Sequence, residues 1–84
     1  MNSKHKRALE AIFKILVNGN LEWCKIEALL VAIGCQGIEG AGSSVTFDKD
    51  GEREYFHRPH PDKAALQYRI RATRPFLERI GVKP

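Results

Sequence analysis

Two histidines, His57 and His60, stand three residues apart in the string FHRPHP that runs from Phe56 to Pro61. Imidazole gives or takes a proton near neutrality, so acid–base chemistry is the first reading of this pair. RNA carries its own nucleophile, the ribose 2′-OH. Its cleavage needs a base, an acid and cations around the phosphorane, and no cofactor. His57, His60, Arg58 and Tyr55 contain those chemistries in one short stretch. A metal centre fits less well, because zinc needs three or four ligands. Asp62 follows a stiff Pro-x-Pro exit, and Glu54 should face the core side of its strand or its edge, so no metal and no cofactor are expected. Both histidines can instead fix the proline-rich loop by hydrogen bonds, and the residue types leave that alternative open.

The chain that must position them has 84 residues, 43% of them hydrophobic, which is enough for one domain with an apolar core. We read 1–84 as a single domain, with 1–20 as a leading helix and linker. No apolar run approaches the roughly 18 residues of a membrane span. The basic start, Met1 to Arg7, is followed by Glu10 and Lys14 and has no small-residue cleavage site, so it does not read as a signal peptide. The cytoplasm is the expected location. Cys24 and Cys35 are too isolated for a zinc site and read as buried reduced thiols.

Periodicity gives the elements. Leu9, Ile12, Phe13 and Leu16 make one apolar face of a helix over 4–16 that Ser3 can cap, and Val17 to Asn20 breaks it. Ile26, Leu29, Leu30 and Ile33 stripe a second helix over 22–33, with Asn20 as its cap and Gly34 after its last turn. Strands follow at 35–39, 43–47 and 52–58, the last two joined by the hairpin signal Asp50-Gly51. A final helix covers 64–80 and ends at Gly81; Pro75 inside it should kink it rather than break it. The expected fold is α+β, in the order α-α-β-β-β-α, with helices on one face of a three-stranded antiparallel sheet.

A two-residue turn at Asp50-Gly51 pairs Lys49 with Glu52, Thr46 with Tyr55, Val45 with Phe56 and Ser44 with His57. Val45, Phe47 and Phe56 then face the helices. Ser44, Thr46, Arg53, Tyr55 and His57 face water or a ligand. The expected core also contains Leu9, Phe13, Leu29, Leu30 and Leu77.

Net charge is +4, from 14 Lys and Arg against 10 Asp and Glu, and leans toward a polyanionic partner. Lys63, Gln67, Arg71 and Arg74 fall on the side of the last helix away from Leu66 and Leu77, and Lys4, His5, Lys6 and Arg7 add charge at the start. Such a stripe can track a phosphate backbone, or it can be a solvated surface.

Taken together, IEALLVAIG, GAGSSVTF, FHRPHP and the terminal RPFLERIGV resemble the HicA family of type II toxin–antitoxin toxins from about Trp23 to Val82. The leading helix and the full FHRPHP string look like one branch of that family. The resemblance implies a double-stranded-RNA-binding-like fold, cleavage of mRNA, translation arrest, and neutralisation in a hetero-oligomer by a HicB-type antitoxin covering the active face. It also implies a catalytic histidine directly after Gly-Ser, or one residue later. Here Gly42-Ser43 is followed by Ser44 and Val45. Either His57 acts in place of the missing histidine, with His60 as the second proton carrier, or the chain keeps only RNA or antitoxin binding. On the first reading Ser44 belongs to the catalytic set with His57 and His60. Ser43, Arg53, Tyr55, Arg58, Lys63, Arg71 and Arg74 are then the RNA contacts.

Overall fold

The Asp50-Gly51 turn decides which side chains see the core. Both residues have positive φ, 53° and 86°, as a type I′ hairpin turn requires. The computed structural model of the chain describes residues 2–14, 21–58 and 67–84, the side chains of 67 and 68 excepted. Within them the order is α1 (Ser3–Ile12), α2 (Trp23–Ala32), β1 (Gln36–Glu39), β2 (Ser44–Lys49), β3 (Glu52–His57) and α3 (Gln67–Arg79). The strands form one antiparallel sheet in the order β1-β2-β3. Lys49 pairs with Glu52, Thr46 with Tyr55, Val45 with Phe56 and Ser44 with His57, as the turn predicts.

The buried face carries Val45, Phe47 and Phe56. Phe56 packs between Trp23 and Phe47, at ring-centroid distances of 5.1 and 6.3 Å. Leu9, Ile12, Ile26, Leu29, Leu30, Ile70, Phe76 and Leu77 complete the core from the helices. Phe13, expected inside, is only half-buried, because α1 ends before it and Phe13 is its C-cap.

The helix ends explain the boundaries. Gly34 (φ 99°) and Gly81 (φ 80°) take the left-handed conformation that costs glycine least. After α2, Cys35 N donates to Leu30 O and Gly34 N to Val31 O; after α3, Val82 N and Gly81 N repeat the pattern on Leu77 O and Glu78 O. Both are Schellman ends. The N-caps differ from expectation. Asn2, not Ser3, caps α1, its side chain accepting from His5 N at 2.9 Å. The cap position of α2 is Glu22, not Asn20, and it makes no side-chain cap bond. Pro75 lies within α3, which runs through it. Phe76 and Leu77, both fully buried, hold the following turn in place, while Pro75 itself faces solvent. Leu16, Leu66 and the expected break at 17–20 lie outside the described residues. So does the loop at 59–61.

Of the two cysteines only Cys35 is buried. Cys24 lies one residue past Trp23, off the stripe made by Trp23, Ile26 and Leu30, and it is exposed. Among the described residues no helix is long and apolar enough to cross a membrane.

Leu30 is fully buried in the core. Truncation to alanine leaves a cavity, and Leu30→Ala is expected to lower unfolding free energy by about 2–5 kcal/mol in urea titration.

Candidate active site at the end of the sheet

His57 is the last residue of β3, and its side chain lies exposed on the face away from the helices. Three anchors hold the backbone around it. Arg69 Nε donates to His57 O at 2.7 Å. Arg58 N donates to Ser43 O at 2.9 Å, carrying the β2–β3 pairing one residue past the strand. The third anchor is the Arg58 side chain, which alternation turns to the opposite face from His57.

There the Arg58 guanidinium lies between two carboxylates. Its Nε donates to Glu27 Oε1 at 2.6 Å and its Nη1 to Glu39 Oε1 at 2.6 Å. Nη2 donates to Glu39 Oε2 at 2.7 Å and to Glu27 Oε2 at 3.2 Å. Trp23 Nε1 donates to Glu27 as well. Forked contacts of this kind suit the planar guanidinium. One side chain from the end of β3 therefore joins α2 to β1. The hydrogen bonds from Arg58 hold the Glu39 carboxyl below its ordinary pKa, and those from Glu39 and then Glu27 push the Arg58 pKa further up. The Arg58–Glu27 pair is the better sheltered, with side chains 27% and 24% exposed against 68% for Glu39. Solvent screens the outer pair more strongly.

Ser44 departs from expectation. It pairs with His57, but it is only 4% exposed and does not meet solvent. The turn at 40–43 folds over it, and its Oγ donates to Ala41 O at 2.7 Å. Gly40 makes that closure possible, since a Cβ there would stand 2.3 Å from Ser44 Oγ. Ser43 is exposed in the same turn.

The other sequence-predicted residues divide. Tyr55 is 62% exposed on the open face, in a row with Thr46 and Ile38, two residues before His57. Arg53 shares that face and pairs with Asp48. Arg71 is exposed on α3, with no ion pair to a described residue. Arg74 donates instead to the carbonyls of Ile12 and Lys14, which tie α3 to the end of α1. His60 and Lys63 lie outside the described residues. Glu54 pairs with Phe47, so it is on the helix side of the sheet, opposite His57. Among the described residues no group of three or more His, Cys, Asp or Glu could hold a metal ion.

Sequence reasoning missed Glu27, Glu39 and Arg69. A signal existed for the first two. Alternation places Arg58 inward beyond Phe56, and an inward guanidinium needs carboxylates. Arg69 gave no comparable signal, because a buried arginine bonded to a strand carbonyl has no local pattern.

From α2 on, a meander of three strands with helices on one face, in the order α-β-β-β-α, matches the double-stranded-RNA-binding-like class of α+β domain, and α1 is added before it. Residues 23–82 match the HicA toxins of bacterial toxin–antitoxin systems, and the chain belongs to that family. The match begins at Trp23, the first residue of α2, so α1 precedes it. No curated protein and no solved structure gave a significant match.

The lowered Glu39 pKa has a sign that can be tested. A carboxylate favoured in the folded state adds stability that is fully present above its ordinary pKa of 4.5 and is lost as pH falls through the lowered value. Glu39→Gln should therefore flatten the acid limb of stability against pH, below about pH 4.5, relative to wild type. Thermal unfolding across that range checks it.

Proposed function

We propose that the chain is a ribonuclease toxin that cleaves mRNA and arrests translation, with His57 as its proton-transfer group. The observation that carries this reading is the contrast at the strand end. The backbone is anchored through His57 O, Arg58 N and the Arg58 side chain, while the imidazole is exposed on the open face. A proton carrier must be held within about 2.6–3.2 Å of its target while staying accessible to substrate. His57 takes the 2′-OH proton as O2′ attacks phosphorus. The 5′-oxygen leaves with a proton from a second group, for which His60 is the candidate. The products are a 2′,3′-cyclic phosphate and a 5′-hydroxyl. The nucleophile is within the RNA, so neither metal nor cofactor is required by this step.

Tyr55 offers a ring on which an unpaired base can stack two residues from His57. Arg58 is assigned a positioning role, since two edges of its guanidinium are already taken by glutamates. Ser44, turned into the 40–43 turn, shapes the strand end and does not transfer the proton. Family membership supports a HicB-type antitoxin as partner, and the exposed Ile38 and Tyr55 make the open sheet face the natural surface for it.

One observation favours a second reading. The position of the usual family histidine is occupied by a covered serine, and a chain without that base can persist as an RNA- or antitoxin-binding module. Growth after induction at matched protein level separates the two. Wild type should arrest growth and His57→Ala should not. If wild type is harmless and Ser44→His arrests growth, the binding-module reading holds. Arrest by His57→Ala equal to wild type would remove His57 from the chemistry.

A further inference from the structure

The cations of this chain separate into those used by the fold and those left over. Arg53, Arg58 and Arg79 are paired with carboxylates. Arg69, Arg74 and Lys49 donate to backbone carbonyls. The open sheet face thereby loses its electrostatic pull: its arginine, Arg53, is offset by Asp48. A polyanion cut at His57 must be held by charge located elsewhere.

That charge collects between α1 and α2. The groove there is lined by Lys4, Arg7, Lys14 and Lys25 against a single acid among its described lining residues, Glu10. The surplus of three is most of the +4 carried by the whole chain. Lys4, Arg7 and Lys14 make no ion pair with a described residue and are exposed. Lys25 has only a loose pair with Glu22, at 3.9 Å between exposed side chains. The floor is apolar and mostly small: Ala8, Ala11, Ala28 and Leu21. His5 also lines the groove. Arg74 grips the carbonyls of Ile12 and Lys14, so the row is fixed against the rest of the domain.

We propose that the α1–α2 groove binds the phosphate backbone of RNA, as an accessory site built by the helix that precedes the family-matched region. The inference rests on RNA being the substrate proposed above, and it places the electrostatic hold away from the cleavage face. Along α1, Lys4 to Ile12 is eight steps, about 12 Å at 1.5 Å per residue, and Lys14 stands two residues beyond the helix end. A line of cations of that length, without ion pairs to the described residues, suits an extended polyanion better than a compact acidic ligand. The contacts are to phosphate, so they are indifferent to base sequence and release counterions.

The test uses the full chain carrying His57→Ala, so that RNA is bound without being cut, and a labelled single-stranded RNA of mixed sequence. Affinity is measured at several salt concentrations. Arg7→Gln with Lys14→Gln should lower the slope of log affinity against log salt by about 1.4, at roughly 0.7 for each phosphate no longer neutralised. Lys6→Gln with Lys83→Gln removes the same charge from exposed positions outside the groove and should leave the slope unchanged. Equal effects of the two pairs would overturn the site. Loss of poly-glutamate binding without loss of RNA binding, in the groove pair, would also overturn it and assign the groove to an acidic protein segment. If RNA binds but only Arg71→Gln weakens it, the groove inference fails and the ribonuclease reading stands. If the parent chain does not bind RNA, the ribonuclease reading fails with it.

Discussion

The Arg58 guanidinium is the contact on which the rest of this strand end depends. It comes from the residue after β3 and meets Glu27 of α2 and Glu39 of β1. The sheet has β1 at one edge and β3 at the other, so the Arg58 side chain spans its width to meet Glu39. Apolar packing of Trp23, Phe47 and Phe56 holds the sheet to the helices but is non-directional. A forked arginine is not. Its hydrogen bonds require one geometry, and burial of the Glu27 side raises the cost of any other. The alternation of a strand then sends the neighbouring His57 outward, and Arg69 fixes its carbonyl.

This arrangement changes the meaning of the basic composition. A net charge of +4 suggests a surface able to hold RNA, yet many of the arginines belong to the architecture. Arg74 closes the end of α1, Arg79 links α3 to Glu52 and the Arg53 carbonyl, and Arg58 joins three elements. What remains for a ligand lies on α1, at the start of α2 and on the outer side of α3. On the proposed reading, cleavage chemistry and electrostatic capture fall to different parts of the molecule.

How far the sequence could be read follows from the range of each interaction. The hairpin register was legible because Asp50-Gly51 is a local signal, and every β2–β3 pairing then follows by counting. Gly34 and Gly81 marked helix ends for the same reason. The covering of Ser44 was not legible. Strand alternation puts it on the outer face, and only the closure of the 40–43 turn, with Gly40 lacking a side chain, shuts it from solvent. Nor was the role of Arg74 visible, since its partners lie some sixty residues earlier in the chain. Periodicity puts a residue on a helix face; it does not say which neighbour that face will meet.

The most direct measurement of the central claim is single-turnover cleavage of RNA by the purified chain in excess chelator, with the ends of the products identified. Wild type is predicted to leave 2′,3′-cyclic phosphates, and His57→Ala, at unchanged thermal stability, to leave none. Cyclic ends produced by His57→Ala at the wild-type rate, or activity that appears only when metal is restored, would contradict the account.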